Sequence, residues 1–392
     1  MVQGLRCARA KNAGVLQGTG KLDLKQAIKK QQKGQVSILS NFLFFQTEKL
    51  AAFYNELRSD RPKEQIAFHQ EHLDYMLEIK DGVRMETFPL YNKACLAMKQ
   101  DGSFLFFHFR LGGGELTLNG SQTLRWEACH VDPQDTPDKA PILIYTPYGS
   151  QKDLSSPSEA YRLLVGENRV NFVIIQNRIV CIRQGNVVLP GIGVVVSLMP
   201  EEGETLLAEL KAAPLGDGYY SPKGLTFSLR LDPPAELSEE DWSKVCWAYG
   251  GGLSLIEDGE TVFQGGSEDA PPLLISEGWL SPLSCQTQDT AIHKPAKHPR
   301  TAIGSTKNGD LFLLVFSGRS LLSTGADYME MSRIAQVLLP DVQSMMNVDG
   351  GASSVLGLAV DGSFLEVSLP ATSSGNVAGM ARPVVTAFCL EL

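Results

Sequence analysis

Short apolar runs broken by Asp-Gly or Asn-Gly pairs limit what this chain can fold into. Asp81-Gly82, Asp101-Gly102, Asp258-Gly259, Asn308-Gly309 and Asp361-Gly362 each separate two such runs. These residue types enter left-handed backbone conformations at low cost, and a pair of them makes the tight turn whose twist suits paired strands. The flanking runs have strand length rather than helix length. Ile142–Tyr145 and Leu311–Phe316 read as buried strands, and 170–175 with 178–184 reads as a hairpin about Asn177. The turn pairs do not recur at a constant interval, so the chain is not a solenoid.

Helical periodicity is confined to a few stretches. Leu22–Gln31 carries the stripe Leu24, Ala27, Ile28, and Thr47–Leu57 reads as a helix. The segment 204–212 reads as a helix or an exposed strand. Ser238 is placed to cap a helix whose first turn holds Glu239, Glu240 and Asp241. A last helix covers 327–338, ended by Pro340. The fold class is therefore α+β: strand-rich mixed sheets with a few packed helices.

The chain has 392 residues, 43% of them apolar and 20% charged, enough to bury a large core. Its net charge is −9, from 35 basic and 44 acidic residues, which gives no electrostatic basis for binding nucleic acid. No apolar run approaches the roughly 20 residues that span a bilayer. The seven cysteines are scattered without a CxxC pair, as expected of small buried residues in a reducing compartment, and a zinc site is not expected. His69 and His72 would share a helix face, but no third ligand lies nearby, so they read as solvated or hydrogen-bonded. Residues 1–20 look loose, small and basic, and they lack the apolar core of a signal peptide. That favours the cytoplasm, with secretion following only if a leader has been removed. The Gly-, Pro- and Ser-rich stretch 264–290 reads as an exposed insertion. The sequence carries no signature of an oligomeric state.

The stretch with the most chemistry is Asn347-Val348-Asp349-Gly350-Gly351-Ala352-Ser353-Ser354. Adjacent glycines leave backbone N–H groups uncovered, and a carboxylate and two hydroxyls stand beside them. Such a loop suits a sugar, a phosphate or a cation; it also suits a tight turn after a buried strand.

Its company narrows the choice. Pro299-Arg300-Thr301-Ala302-Ile303-Gly304 matches a "PRTAIG" element, and Phe316-Ser317-Gly318-Arg319-Ser320 a "DGR" element after an apolar strand. Asn347–Ser354 matches "NLDGGGSS", and Arg382-Pro383-Val384 the "RPV" before a last strand. In order and spacing the chain resembles the phosphodiester glycosidases. Weaker matches upstream are 249–255 to a "GGGPxLV" piece, 144–149 to "LYTPxYG", 90–97 to a "RPALG" strand, and 22–45 to the unit ending in "NGGFF". The resemblance implies one phosphodiester-glycosidase-like domain over 21–392. Two departures stand out. Phe42 and Leu43 replace both glycines of "NGGFF", so bulky side chains are expected where a ligand would approach the backbone. Ser317 replaces the aspartate of "DGR".

The implied substrate is a small molecule or glycan in which a phosphodiester joins the anomeric carbon of a sugar. Arg300 and Arg319 would hold the phosphate, because a guanidinium gives two parallel hydrogen bonds to its oxygens, with Arg382 a weaker third. Asp349 would act as base or stabiliser of the oxocarbenium-like centre. The N–H groups of Gly350 and Gly351, with Ser353 and Ser354, add neutral donors. Asn347 and Asn41 would orient sugar or water, and Thr301 would buttress Arg300. No cofactor is called for, although Asp349 leaves a divalent cation open; no EF-hand-like spacing is present. No Ser/His/Asp set or P-loop is legible. The alternative to hydrolysis is a sugar-phosphate-binding module of the same fold with altered catalysis.

Overall fold

The computed structural model describes residues 1–7, 12–22, 24, 36–43, 76–84, 88–89, 92–129, 140–146, 164–175, 178–190, 193–263, 277, 297–369 and 383–391. Strands dominate it, as the turn pairs require. The Asp-Gly pairs at 81, 258 and 361 take positive φ at both residues, and each joins antiparallel strands.

Among the described residues the largest sheet has ten strands. Along it run Val2–Cys7, Leu311–Phe316, Arg300–Thr306, Val342–Val348 and Val245–Glu257, each antiparallel to the next. Val245–Glu257 is long enough to serve two neighbourhoods. Its first half pairs with Lys93–Lys99 and Glu78–Lys80, its second with Val342–Val348. The register shifts between Gly250 and Gly252, and Gly251 has φ +122°. A Cβ at Gly251 would come within 2.1 Å of Met76 Sδ, so the glycine triplet lets the strand bend and be packed closely at once.

A nine-stranded sheet is antiparallel except where Ile142–Tyr145 runs parallel to Gln122–Cys129. A five-stranded sheet orders Asn12–Leu22, Val384–Glu391, Val36–Asn41, Leu356–Val360 and Ser363–Glu366. Phe42, Trp247, Tyr249, Ile303, Val315, Met346 and Phe388 belong to one buried cluster drawn from the ten- and five-stranded sheets. A larger cluster joins the nine-stranded sheet to other residues of the ten-stranded one.

The described helices are few. Tyr328–Leu338 begins at Asp327, whose carboxylate accepts from Glu330 N while Glu330 accepts from Asp327 N, a complete capping box. Ser238 caps Glu239–Ser243 as expected. The segment read as a helix or a strand is the helix Pro200–Glu209, starting earlier than expected because Pro200 suits a first turn.

Two expectations need correction. The described part of 1–20 is not loose: Val2–Cys7 and Asn12–Leu22 are strands. Leu311–Phe316 is buried throughout, and its outer backbone groups need partners; Val2–Cys7 supplies them along its full length. Of the stretch 264–290, expected to be exposed, only Glu277 is among the described residues, and it is fully buried. Of the helix expected at 22–31, Leu22 ends the strand Asn12–Leu22 and Leu24 is helical; its other residues, the helix expected at 47–57, the pair His69 and His72, Asn177, Pro147–Gly149 and Arg382 lie outside the described residues. Cys7 and Cys95 are buried free thiols, Cys181 is buried too, and burial pushes the Cys95 thiol well up. No helix of the described residues is long and apolar enough to cross a membrane.

Candidate functional site

Strand pairing brings the separated motifs together. Arg300–Thr306 and Val342–Val348 are neighbours, with Thr301 opposite Val348 and Ala302 opposite Asn347. One step further along, Arg300 and Asp349 come side by side at the end of the strand pair. The Asp349 turn is fastened there: Gly351 N donates to Pro299 O at 2.8 Å and Asp349 N to Phe42 O at 2.9 Å. A Cβ at Gly350 would lie 3.7 Å from Arg300 Cα, and one at Gly351 only 3.6 Å from both terminal nitrogens of Arg319. Gly351 also has φ +64°, which a side chain would resist. Arg300, Arg319, Asp349, Gly350 and Gly351 therefore share one locality.

Arg300 is half-buried, and its Nη1 donates to the Tyr328 hydroxyl at 2.7 Å. Its guanidinium lies over the Tyr328 ring, 4.2 Å from the centroid. Tyr328 in turn stacks on Phe263. Arg319 is exposed and sits in the left-handed region at φ +51°. Its neighbour Gly318 has no room for a Cβ, which would meet Gly325 Cα and Pro299 N at 2.8 Å. The "DGR" turn is thereby locked against the strand that carries Arg300.

Asp349 is half-buried, and its Oδ1 accepts from Gly350 N at 2.9 Å, so part of the carboxylate orders its own turn. Asn347 and Ser354 are almost wholly buried, and among the described residues neither Asn347 Oδ1 nor Ser354 Oγ has a hydrogen-bond partner. A buried polar atom left this way costs about 1–3 kcal/mol, and a ligand hydroxyl or a water would relieve it. Ser353 is fully buried within the short 3-10 turn Gly351–Ser353.

Asn41 and Thr301 serve differently from the sequence reading. Both are buried, and Thr301 Oγ1 donates to Asn41 Oδ1 at 2.9 Å. The same oxygen accepts from Val355 N at 3.0 Å, while Asn41 Nδ2 donates to Asp349 O at 2.5 Å. Asn41 is thus a strut that joins the Arg300–Thr306 strand and Val355 to the Asp349 turn, with its amide hydrogen-bonded inside the protein.

The departures from the family pattern also have structural answers. Phe42 and Leu43 are buried. The Phe42 ring packs against Phe388 at 5.4 Å and Tyr249 at 6.1 Å, inside the core rather than over Asp349. The expected obstruction by this side chain is therefore absent. Ser317 is buried too, and its hydroxyl donates to Gln3 Oε1 at 2.9 Å. Hence the N-terminal strand occupies the surroundings of the position where the pattern has a carboxylate.

A second polar cluster escaped the sequence reading, because its members come from four separated segments. His108 Nε2 is 2.9 Å from the buried Glu277 Oε1 and 3.4 Å from Glu257 Oε1, and Nδ1 is 3.8 Å from Glu236 Oε1. Ser254 N donates to Glu277, and Ser254 Oγ donates to Glu257. These groups, Glu277 apart, line a cavity of about 280 Å³ with Phe106, Phe107 and Met346. No group of three His, Cys, Asp or Glu among the described residues is arranged to hold a metal ion.

Burial pulls the His108 pKa down, but the hydrogen bond and charge of Glu277, with Glu257 and Glu236, carry it above its ordinary value. Burial raises Glu277, opposed by His108 and Lys93. For His108 the folded state holds its proton more tightly than the unfolded one. The resulting stability is present below about pH 6.5, the ordinary histidine value, and is lost as pH rises through the raised folded value. Denaturant midpoints should therefore fall above that pH in the wild type. In His108→Gln, the part of the fall that His108 contributes should disappear.

Comparison with known proteins agrees with the motif geometry. The family model described as phosphodiester glycosidase matches residues 176–391. No curated protein sequence matches the chain. Among solved structures, a hypothetical protein from Synechocystis is similar at 18% identity and a TM-score of 0.48, covering 100% of this chain and 59% of that one. The zebrafish N-acetylglucosamine-1-phosphodiester alpha-N-acetylglucosaminidase catalytic domain, auto-inhibited by its pro-peptide, is similar at 13% identity and a TM-score of 0.30, covering 99% of this chain and 87% of that one. With more than half of its length matched by the family model, and with that match holding the Arg300, Arg319 and Asp349 motifs, the chain belongs to the phosphodiester glycosidase family.

Proposed function

We propose that the protein hydrolyses a glycosyl phosphodiester, the bond between a sugar's anomeric carbon and a phosphate. The observation that carries this reading is the meeting of Arg300 and Arg319 with Asp349 at one turn, from three separate motifs. Two guanidinium groups can neutralise and orient the phosphate, which is already a good leaving group once its charge is held. Asp349 then stabilises the positive character that develops at the anomeric carbon, or takes a proton from the attacking water. The buried Asn347 Oδ1 is an acceptor suited to an interior water beneath the turn.

The test is release of free sugar from a panel of sugar 1-phosphodiesters. Wild type should turn over at least one member, and Asp349→Ala should lose about 100-fold or more in kcat, as expected when charge stabilisation at the reacting centre is removed. Equal turnover by both proteins would sink the assignment of Asp349. A second reading is a sugar-phosphate-binding module without turnover. It is favoured by Ser317, whose hydroxyl binds Gln3 where the family pattern has a carboxylate. Tight binding of a sugar 1-phosphate with no turnover of any diester would select it.

A further inference from the structure

We infer that Tyr328 is the positioning residue for Arg300, fixing the direction in which its guanidinium meets an anion. This rests on the phosphate-holding role proposed above for Arg300, although the contact itself does not. An arginine at the end of a strand has several rotatable bonds, and ordering it in the bound geometry costs about 2 kcal/mol of side-chain entropy. Here much of that ordering exists beforehand. The guanidinium lies on the Tyr328 ring at 4.2 Å, and Nη1 donates to the phenol oxygen at 2.7 Å. The ring and the hydroxyl hold the guanidinium at two points, by contact at Cζ and by a hydrogen bond at Nη1. One of its five N–H donors is thereby spent inside the protein, so an anion meets a group whose orientation is already chosen.

Tyr328 can do this because it is itself held. It opens the helix Tyr328–Leu338, whose capping box fixes the first turn. Phe263 stacks on its ring at 5.5 Å. The segment before Arg300 is tied to the same helix start at two further points. His298 and Ala326 exchange backbone hydrogen bonds at 3.2 and 3.0 Å, and Lys297 pairs with Glu330 at 2.5 Å. Arg300 and Tyr328 therefore sit on two segments fastened together on either side of their contact. At 4% exposure Tyr328 has little surface to offer a substrate, which argues for a role through Arg300 rather than direct binding.

The test is a double-mutant cycle together with a measurement that needs no turnover. On a sugar 1-phosphodiester, Tyr328→Phe keeps the ring and removes the hydroxyl. It should lower kcat/KM about 5- to 10-fold, within the range for losing one ordinary intramolecular hydrogen bond. In an Arg300→Ala background the same change should have almost no effect. A purely structural role would give the same fold-loss in both backgrounds, and that result would overturn the inference. The second measurement is nitrogen NMR of the arginine side chains, with the Arg300 signal identified by its loss in Arg300→Lys. Rotation about the Cζ–Nη bonds should be slow in wild type and fast in Tyr328→Phe. Equal rotation rates in the two proteins would overturn the inference whether or not the protein is a hydrolase. Conversely, unchanged turnover in Arg300→Ala would remove the phosphate role and leave the NMR result to decide the positioning.

Discussion

Arg300→Ala is expected to lower kcat/KM for a sugar 1-phosphodiester by about 100- to 1,000-fold, the range seen when one donor to a developing charge is removed. The cost is large because the group is in place before the substrate arrives. Its strand is paired on both sides, to Leu311–Phe316 and to Val342–Val348, and its guanidinium rests on Tyr328. A water molecule filling the vacated space would carry neither the charge nor the fork of donors. Arg300→Lys should recover only part of the loss, since a point charge cannot give two parallel hydrogen bonds from one plane. Steady-state kinetics with the purified variants reads both effects, and the unfolding midpoint of each shows whether the fold is intact. Wild-type kinetics in Arg300→Ala would remove the guanidinium from the mechanism.

Phe42→Ala is expected to cost about 3–5 kcal/mol of stability, the usual range for deleting a buried phenylalanine ring. The ring is 1% exposed and touches Phe388 and Tyr249, which in turn contact Trp247. Denaturant unfolding measures this directly as a lower midpoint with an unchanged slope. The result separates two ideas about the departure from the family's glycine pair. A ring that shields the site would, on removal, leave stability near wild type and open access to Asp349. A ring that belongs to the core gives the large loss, and the pattern departs here because a side chain was accommodated beneath the loop. A change under 1 kcal/mol would contradict the core assignment.

Local chemistry was readable where it was decided locally. Asp81-Gly82 and Asp361-Gly362 could be recognised as hairpin turns because the turn and both its strands are adjacent in sequence. Ser238 could be recognised as a cap for the same reason, whereas Asp327, read as the first helical residue, is the cap before Tyr328–Leu338. Residues 2–7 could not, since what makes them a strand is the unsatisfied edge of Leu311–Phe316, some three hundred positions away. The site motifs were legible as a set, because resemblance in order and spacing carries information that no single residue has. The roles within the set were less legible. Asn41 has the chemistry of a sugar ligand, and only the third dimension shows its amide consumed by Thr301, Val355 and Asp349. Tyr328 looked like an ordinary helix residue, since nothing in sequence says which side chain a tyrosine will meet. Glu277 lies in a stretch whose Gly, Pro and Ser content suggests the surface, and a buried carboxylate there depends on His108 and the Ser254 amide.

Asn41 has a consequence for motion. Its strand belongs to the five-stranded sheet, Thr301 and the Asp349 turn belong to the ten-stranded one, and Val355 leads back into the first. The turn at Asp349 therefore cannot swing out on its own. To release it, the bonds from Asn41 Nδ2 to Asp349 O, from Asp349 N to Phe42 O and from Gly351 N to Pro299 O must all break, next to the buried rings of Phe42 and Phe388. Loops that bind ligands are commonly drawn from the least stable parts of a protein. This one is tied by side-chain and backbone hydrogen bonds to residues beside two sheets, so its opening costs more than that of a surface loop. A ligand entering here meets the exposed Arg319 side chain as the adaptable part, while Arg300, held on Tyr328, and the backbone beneath keep their shape.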